Sequence, residues 1–383
     1  MKKRVIVLGS TGSVGCSTLD VLASLADEFE VVGLAAGSNY QTLVEQADRF
    51  RPEALALVRT EYAADLRSGL SYRPSLFHGE GALVALVEEV DSDCVVSAVV
   101  GAAGLRATIR AVELGKRVAL ANKEALVIAG DLLMRLARQT GAEIIPVDSE
   151  HSAVFQALRA GRDSELRRIY LTASGGPFRT WSEEKMDTAT VEDALRHPTW
   201  DMGPKISIDS ATMMNKSLEI VEARWLFDMD HDKIEVVVHP ESILHSFVEF
   251  CDGSFIAQLG RPDMRIPIQY ALTFPQRRDC PRARLNLFEL SQLTLSPPDP
   301  QRFPALRLGH EVARRGGTAG AVLNAANEAA VELFREGAIG FLDIARHVEQ
   351  ALCVHDFVAA PTLDDLITAD RWARREVAKC TAC

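Results

Sequence analysis

The chain has 383 residues, 47% of them hydrophobic and 25% charged, a composition typical of a globular protein with two or three domains. The net charge of −11 argues against binding to nucleic acid or an anionic membrane, because phosphate groups would be repelled. No apolar stretch has the length of a membrane span, and seven scattered cysteines indicate free thiols in a reducing cytosol. We therefore expect a cytoplasmic protein. Cys380 and Cys383 have CxxC spacing but no second ligand pair, so we expect no metal or redox role there.

The first 148 residues alternate short apolar strands with helices, which is typical of parallel βαβ units. The predicted strands are 4–8, 29–36, 54–58, 94–100, 117–121 and 143–147, and the predicted helices are 13–25, 41–50, 81–90, 104–114 and 124–139. This pattern predicts an α/β fold with an N-terminal Rossmann-like, doubly wound parallel sheet in residues 1–148.

The remaining chain has a different rhythm, which predicts a central α+β domain at 149–290 and a C-terminal α-helical bundle at 306–383. The central elements are helices 151–159 and 210–226 and strands 168–172, 234–239, 245–250 and 254–259. We expect the last three strands to form an antiparallel meander with a hairpin at Asp252-Gly253. Residues 291–305 are rich in proline and read as a linker. The predicted helices of the bundle are 306–315, 319–335, 341–353 and 363–378.

A glycine-rich turn, Gly9-Ser10-Thr11-Gly12-Ser13-Val14-Gly15, lies between the first strand and the first helix. Glycines let a backbone approach a pyrophosphate, and the helix N-terminus favours its charge. The alternative is a tight turn without a ligand. The second strand ends at Gly37-Ser38-Asn39, without the acidic residue that usually binds the ribose 2′-hydroxyl of NAD. The turn and this strand end together predict a dinucleotide site that prefers NADP to NAD.

Asp148 and Glu150 follow the last strand of the sheet and are two residues apart. In an extended segment this spacing places both carboxylates on one side of the chain. Hard oxygen ligands of this kind suit Mg²⁺ or Mn²⁺, although two solvated acids in a polar loop are the simpler interpretation of the pair alone. Asn122-Lys123-Glu124 follows the preceding strand, where ligands collect in open α/β sheets. Lys123 is a candidate contact for an anionic substrate. The alternative is helix capping by Asn122 with a solvated Lys-Glu pair at Lys123 and Glu124.

Two later segments offer donors for a phosphate. Ser174-Gly175-Gly176 is either an anion-binding nest or a plain turn. On the helix predicted at 210–226, Ser210, Asn215 and Lys216 are donors, and Glu219 shares a face with Lys216. An ordinary amphipathic helix is the alternative. The loop 197–204 carries His197, Trp200 and Met202 between prolines, which predicts a lid that excludes water.

Several long motifs together make the chain similar to the 1-deoxy-D-xylulose 5-phosphate reductoisomerase family over essentially its whole length. They are Gly9 to Gly15, Asn122-Lys123-Glu124, Asp148-Ser149-Glu150-His151-Ser152, Ser174-Gly175-Gly176-Pro177-Phe178, His197 to Glu219, and Leu323-Asn324-Ala325-Ala326-Asn327-Glu328. The resemblance implies an enzyme that rearranges a sugar phosphate by retro-aldol and aldol steps and then reduces it with NADPH. It also implies a divalent metal (Mg²⁺ or Mn²⁺, with Co²⁺ as a further candidate) and a homodimer.

The resemblance also implies that the central α+β domain at 149–290 is the catalytic domain, and it implies roles for individual residues. Lys123, Glu150 and His197 would be catalytic, and Asp148, Glu150 and Glu219 would hold the metal. The substrate would contact Lys123, Ser149, Glu150, Ser174, His197, Trp200, Met202, Ser210, Asn215, Lys216 and Glu219. The cofactor would contact Thr11, Gly12, Ser13, Val14, Gly37, Ser38, Asn39, Asn122, Glu124 and Gly203. Some members have a lysine where this chain has Ser38, so the resemblance leaves the strength of the NADP preference open.

Two other functions are compatible with the N-terminal pattern. A simple NADP-dependent dehydrogenase of a phosphorylated hydroxy compound would need the glycine-rich turn but not three metal-binding carboxylates. A non-catalytic regulator that binds NADPH and a partner protein would not need the serine, asparagine and lysine donors.

Overall fold

The computed structural model describes residues 1–200, 202–280 and 283–379. Its strands are Lys3–Leu8 (β1), Phe29–Ala36 (β2), Ala54–Leu57 (β3), Ser75–His78 (β4), Cys94–Ser97 (β5), Arg117–Leu120 (β6), Ile144–Pro146 (β7), Leu166–Ala173 (β8), Ile234–Val238 (β9), Leu244–Phe250 (β10) and Phe255–Leu259 (β11). Asp201 of the predicted lid and the Cys380–Cys383 motif lie outside the described residues.

The helices fill the segments between these strands and the C-terminal part of the chain. They are Ser13–Ser24 (α1), Tyr40–Phe50 (α2), Ala63–Gly69 (α3), Ala82–Glu89 (α4), Leu105–Glu113 (α5), Lys123–Thr140 (α6), Ser149–Ala157 (α7), Glu183–Asp187 (α8), Val191–Leu195 (α9), Pro204–Ala211 (α10), Met214–Leu226 (α11), Arg265–Thr273 (α12), Ala305–Arg315 (α13), Ala319–Arg335 (α14), Asp343–Val354 (α15) and Leu363–Lys379 (α16). Among the described residues, no helix is long and apolar enough to cross a membrane.

Internal contacts divide the chain into two compact units. The first comprises Met1–Ala125, Leu133–Ser152 and Asp263–Ala283, and the second comprises Leu126–Leu132, Ala153–Pro262 and the residues from Arg284 onward. The predicted boundaries at residues 148, 290 and 305 remain a prediction, because compactness does not decide which segment binds which ligand.

The first unit is built on a parallel sheet with the strand order β4-β3-β2-β1-β5-β6-β7. Strands β3 and β5 are buried along their whole length, as continuous apolar runs predict for strands covered on both faces. Strands β2 to β4 are added one after another on one side of β1, and strands β5 to β7 on the other side. The order in which the chain adds strands therefore switches sides at β1. Ligands bind at the carboxyl edge of such a sheet, next to this reversal. The predicted Rossmann-like fold is confirmed.

Strand β4 and helix α3 were not predicted from the sequence. Ser75–His78 lies at the edge of the sheet and is partly exposed, so it lacks the apolar run that identified the other strands. Helix α3 has seven residues and buries one side chain, Leu66, which leaves too little apolar periodicity to detect.

The second unit contains a four-stranded sheet with the order β11-β10-β8-β9. Strand β10 runs antiparallel to β8 and to β11, and the β10–β11 hairpin is confirmed. The predicted meander is wrong for β9, because β9 pairs in parallel with β8 and does not touch β10. Short apolar strands in a row do not reveal which neighbour each one takes. The predicted linker also contributes to this sheet, since Ser296 forms a β-bridge with Val238.

Helices complete the second unit. Helix α11 packs against α13, and α14 packs against α15 and α16, so the predicted C-terminal helical bundle is confirmed. The helix predicted at 210–226 is two helices, α10 and α11. Met213 interrupts it with a φ of +61°, a left-handed conformation that no continuous α-helix accommodates.

Candidate functional site

The Gly9–Gly15 turn of the first unit joins β1 to α1 and leaves the N-terminus of α1 open. Gly9 has a φ of +80°, and a Cβ atom on Gly15 would lie 2.2 Å from the Gly9 carbonyl oxygen, so both positions require glycine. No side chain caps α1, and its first turn contains no acidic residue. Gly12 and Ser13 are exposed there. Exposed, uncapped amides at a helix N-terminus suit a pyrophosphate.

The predicted ribose contacts follow β2, the neighbour of β1 in the sheet. Gly37, Ser38 and Asn39 are exposed, and the Asn39 side chain accepts a hydrogen bond of 3.2 Å from the Thr42 amide. Asn39 thereby caps α2. The carboxyl ends of adjacent parallel strands meet at one edge, so this segment and the Gly9–Gly15 turn lie on the same edge of the sheet.

At the end of β6, three consecutive polar side chains are buried. The Asn122 side-chain amide donates hydrogen bonds to the Gly101 carbonyl oxygen (3.0 Å) and to the Glu124 carboxylate (2.7 Å). Lys123 forms an ion pair of 2.7 Å with Asp148, which follows the neighbouring strand β7. The solvated Lys-Glu pair considered as an alternative is excluded, because Asn122, Lys123 and Glu124 are each less than 10% exposed.

Asp148 and Glu150 remain close, but the extended segment expected for them is wrong. Helix α7 begins at Ser149, and the Glu150 amide donates to the Asp148 carboxylate at 3.2 Å. An Asp before a helix accepts hydrogen bonds from its first amides, which explains the tight turn. One carboxylate oxygen of each residue still lies within 4.8 Å of the other, and the Ser149 hydroxyl donates to Glu150. Two oxygen ligands at this separation suit a hard divalent cation.

In the second unit, the Ser174-Gly175-Gly176 turn follows β8 and lies directly against helix α10. Gly175 and Gly176 have φ values of +84° and +65°. A Cβ atom on Gly176 would lie 2.4 Å from the carbonyl oxygen of Ser210. Close backbone packing therefore brings Ser174 and Ser210, two predicted phosphate contacts, into one region. A cavity of about 290 Å³ opens beside Ser174, and Arg179 and Arg196 are among the residues that line it.

Helix α11 carries the remaining predicted phosphate donors near its N-terminus. The side chains of Asn215 and Lys216 both donate to the Glu219 carboxylate, the former at 2.5 Å. Lys216 and Glu219 are both buried, so the predicted shared face is confirmed for this pair. Ser210 lies on α10, not on this helix, because of the break at Met213. An ammonium, an amide and a helix N-terminus are groups that bind phosphate in proteins.

The predicted lid segment has no helix or strand at 197–200 or at 202–203. The His197 Nδ1 atom accepts hydrogen bonds from the amides of Thr199 (3.2 Å) and Trp200 (2.9 Å). Its Nε2 atom therefore carries the proton and donates to the Ser174 hydroxyl at 2.9 Å. Burial lowers the pKa of His197 below its ordinary value, which agrees with a neutral ring. Trp200 and Met202 are half-buried, and Gly203 is exposed.

One buried polar cluster in the second unit was not predicted. Asp209, on α10, forms an ion pair of 2.6 Å with Lys205 and accepts a hydrogen bond of 2.8 Å from the Asn327 side chain. Asp209 and Asn327 are almost fully buried. The cluster fixes α10, which carries Ser210. The only local signal for this cluster in the sequence was a polar residue, Asn327, within the alanine-rich helix α14. Its partner Asp209 lies 118 residues away in the chain, so the pairing could not be predicted.

The predicted residues therefore fall into two sets, one in each unit. The first unit holds Thr11, Gly12, Ser13, Val14, Gly37, Ser38, Asn39, Asn122, Lys123, Glu124, Asp148, Ser149 and Glu150, and the second holds Ser174, His197, Trp200, Met202, Gly203, Ser210, Asn215, Lys216 and Glu219.

Comparison with known protein families gives matches along most of the chain. The model described as 1-deoxy-D-xylulose 5-phosphate reductoisomerase matches residues 5–130, and the model of its C-terminal domain matches residues 144–227. A third model, described as the DXP reductoisomerase C-terminal domain, matches residues 259–376.

Relatives and solved structures agree with these family models. The chain is 54% identical over 373 residues to 1-deoxy-D-xylulose 5-phosphate reductoisomerase of Chlorobium phaeovibrioides, covering 96% of this chain and 97% of the relative. The enzyme of Exiguobacterium sibiricum is 50% identical over 377 residues, or 98% of both chains. The Zymomonas mobilis enzyme, solved with NADPH, has a TM-score of 0.93 and 44% identity, covering 100% of this chain and 99% of that chain. A DOX-P reductoisomerase solved with NADPH, fosmidomycin and magnesium has a TM-score of 0.92 and 38% identity, covering 99% and 98%.

Proposed function

The chain belongs to the 1-deoxy-D-xylulose 5-phosphate reductoisomerase family, and from that premise we propose which of its residues carry out the reaction. It is an NADP-dependent oxidoreductase that converts 1-deoxy-D-xylulose 5-phosphate to 2-C-methyl-D-erythritol 4-phosphate and depends on NADPH and a divalent metal. The observation that carries this function is the match to the family over nearly the whole length of the chain.

The donor groups of the first unit fit both cofactors. The open N-terminus of α1 and the exposed Gly37–Asn39 segment suit the phosphates and ribose of NADPH. We assign this contact to Thr11, Gly12, Ser13, Val14, Gly37, Ser38 and Asn39, with Asn122, Glu124 and Gly203 on the nicotinamide side. The oxygens of Asp148 and Glu150 fit Mg²⁺. We assign the third ligand position to Glu219 on the resemblance to the family.

The substrate phosphate is assigned to Ser174, Ser210, Asn215 and Lys216. Lys216 supplies a buried ammonium, and Asn215 supplies an amide from the first turn of α11. Glu219 accepts hydrogen bonds from both side chains and so holds them in position. The neutral His197 ring donates through Nε2 to Ser174, which orients that hydroxyl toward the phosphate.

The chemistry is assigned to the polar groups beside Asp148. When bound, the metal polarises the substrate carbonyl as a Lewis acid and NADPH delivers the hydride. Lys123 holds a positive charge at the end of β6, where it stabilises negative charge that develops on substrate oxygens. Ser149 and Glu150 contact the carbon chain and its hydroxyl groups. Trp200 and Met202 exclude water when the loop 197–203 closes.

We further propose that the chain works as a homodimer in the cytoplasm. Strand β11 is an edge strand, and its Phe255, Ile256 and Leu259 are exposed. Phe288 and Leu295 of the following segment are also exposed. An uncovered apolar edge strand is a pairing surface, and a second copy of the chain is its proposed partner.

The cysteines of the described residues are free thiols, which suits a reducing compartment. We also propose that Mn²⁺ and Co²⁺ can replace Mg²⁺.

An NADPH-oxidation assay with 1-deoxy-D-xylulose 5-phosphate tests the function. We expect turnover with Mg²⁺ or Mn²⁺ and none in excess chelator. Turnover that persists in chelator would favour a simple NADP-dependent dehydrogenase, and NADPH binding without turnover under every condition would favour a regulator. Sedimentation of the same sample tests the dimer, because a particle of 41.9 kDa would contradict it.

A further inference from the structure

The proposed 2′-phosphate site of NADPH lacks a cation in the segment that follows β2. Gly37, Ser38 and Asn39 are uncharged, and the Asn39 side-chain oxygen already accepts the hydrogen bond that caps α2. A phosphate carries up to two negative charges and is usually bound by a positively charged side chain in an NADP site. The cation must therefore come from another part of the carboxyl edge. This inference rests on the proposed function, since it concerns the cofactor of that reaction.

We propose that Arg59 binds the 2′-phosphate and gives the chain its preference for NADPH over NADH. Strand β3 pairs with β2 in parallel, so the residues after β3 lie beside the residues after β2. Hydrogen bonds continue past the end of both strands, from the Val58 amide to the Ala36 carbonyl oxygen (3.1 Å) and from the Arg59 amide to the Gly37 carbonyl oxygen (3.0 Å). The backbone of Arg59 is thus one hydrogen bond away from the segment that contacts the ribose.

A ring contact fixes this arrangement a few residues further on. Tyr40, the first residue of α2, stacks on Tyr62 with ring centroids 5.4 Å apart and an interplanar angle of 23°. The turn that begins with Arg59 is therefore attached to the Gly37–Asn39 segment on both sides. Moving its backbone away would break the stack, so the backbone of Arg59 is held beside the Gly37–Asn39 segment.

The Arg59 side chain is free to turn toward a ligand. It is 66% exposed, and its ion-pair partner is the Glu61 carboxylate at 3.7 Å, which is itself 53% exposed. An exposed pair at this distance contributes little to stability, so exchanging it for a phosphate costs little. A guanidinium group can bind two phosphate oxygens at once, which a lysine ammonium does not reproduce. Glu61 opposes binding, because its carboxylate repels the phosphate.

Equilibrium binding of NADPH and NADH, measured by cofactor fluorescence without substrate or metal, tests the proposal. Arg59→Ala should raise the Kd for NADPH by about tenfold, the lower range for a charge-assisted contact, and leave the Kd for NADH unchanged. Arg67→Ala is the matched control. Arg67 is an exposed arginine on α3 in the same unit, so this substitution removes the same charge at a different place. It should change neither Kd.

Two milder substitutions separate a direct contact from a structural effect. Arg59→Lys keeps the charge but loses the second hydrogen bond, so its Kd for NADPH should lie between those of the wild type and Arg59→Ala. Glu61→Gln removes the competing carboxylate and should lower the Kd for NADPH about twofold, as expected for a small, solvent-screened charge effect. Neither change should alter NADH binding.

The outcomes distinguish this proposal from the proposed function. A wild-type chain that binds NADPH no more tightly than NADH would contradict the assigned cofactor. If the wild type prefers NADPH but Arg59→Ala retains the whole preference, Arg59 is not the 2′-phosphate ligand, although the function stands. Equal weakening of NADPH and NADH in Arg59→Ala, or the same loss in Arg67→Ala, would also overturn the proposal.

Discussion

The two proposed phosphate sites of this chain use opposite physical means. In the first unit, the turn at Gly9–Gly15 offers exposed backbone amides and hydroxyl groups and relies on glycine for its shape. In the second unit, the region of Ser174, Ser210 and α11 uses side chains, including the buried pair Lys216 and Glu219. A backbone site is sensitive to added volume, because a side chain added at one of its glycines would occupy space that the backbone or the ligand needs. A buried charged site is sensitive to the loss of one group, because the partner charge remains in a dry environment.

The largest effect should come from Glu219, which is both a proposed metal ligand and the buried partner of Lys216. Glu219→Gln replaces a proposed metal ligand by an amide, a poor ligand for a hard cation. Removing a residue that only hydrogen-bonds to a metal ligand already lowers metal affinity or activity by about ten- to a hundredfold. Loss of a direct ligand should therefore lower turnover by more than about a hundredfold. NADPH binding should stay unchanged, because the cofactor contacts lie mainly in the other unit. Near-normal turnover at saturating Mg²⁺ would remove Glu219 from the metal site.

The second-largest effect should come from Lys216, the positively charged partner of Glu219. Lys216→Ala should raise the KM for the substrate by about ten- to a hundredfold, because it removes a charge-assisted phosphate contact. Lys233→Ala, an exposed lysine of the same unit that pairs with Asp230, is the control and should change nothing. A substrate analogue without the phosphate should be insensitive to Lys216→Ala. Equal losses on both substrates would mean that Lys216 does not hold the phosphate.

The backbone site should respond to volume, with a smaller effect. Gly15→Ala places a Cβ atom 2.2 Å from the Gly9 carbonyl oxygen, so the turn must shift, at a cost of about 1–3 kcal/mol in unfolding free energy. Gly12→Ala meets its nearest atom at 3.4 Å and should leave thermal unfolding unchanged while weakening NADPH binding. The comparison fails if both variants unfold alike, because the two glycines would then have the same role.

The smallest effect should be a pH dependence in the second site. Burial lowers the pKa of His197 from its ordinary value of 6.5, so the folded protein favours the neutral ring. Above pH 6.5 the ring is neutral in the folded and the unfolded chain, and its contribution to stability is fully present. As the pH falls below 6.5, the unfolded chain takes up the proton first, so this contribution decreases toward the lowered pKa. Protonated Nδ1 cannot accept the Thr199 and Trp200 amides, so KM should rise on the acid side.

A His197→Gln variant provides the control for this pH dependence. Its side chain does not titrate, so the acid-side rise in KM should disappear while a higher, pH-independent KM remains. An identical profile in the wild type and the variant would assign the dependence to another group.

The difference between the two sites also explains what the sequence could predict. The turn at Gly9–Gly15 was predictable because a local motif lies directly between an apolar strand and a helix. Six of the seven strands of the first sheet were also predictable, because each is a short and largely apolar run; the exception is the partly exposed edge strand β4. Lys216 and Glu219 were also correctly placed on one face, because residues three apart in a helix are neighbours.

Features that depend on distant parts of the chain could not be predicted. The hydrogen bond between Asp209 and Asn327 joins residues that no local pattern relates. The left-handed Met213 has no signal in its own residue type, because methionine rarely takes that conformation. The parallel pairing of β9 with β8 is likewise a choice among partners that the strand's own composition does not encode.

Binding of fosmidomycin with and without Mg²⁺ tests the central claim most directly, namely that a metal and a closing loop act together at this site. Fosmidomycin, a phosphonate–hydroxamate, is bound with magnesium and NADPH in a solved relative. We expect tight binding only when the divalent cation is present. Binding should also slow hydrogen exchange across residues 197–203 and change the fluorescence of Trp200. Equally tight binding in excess chelator, or unchanged exchange in the loop, would contradict the account.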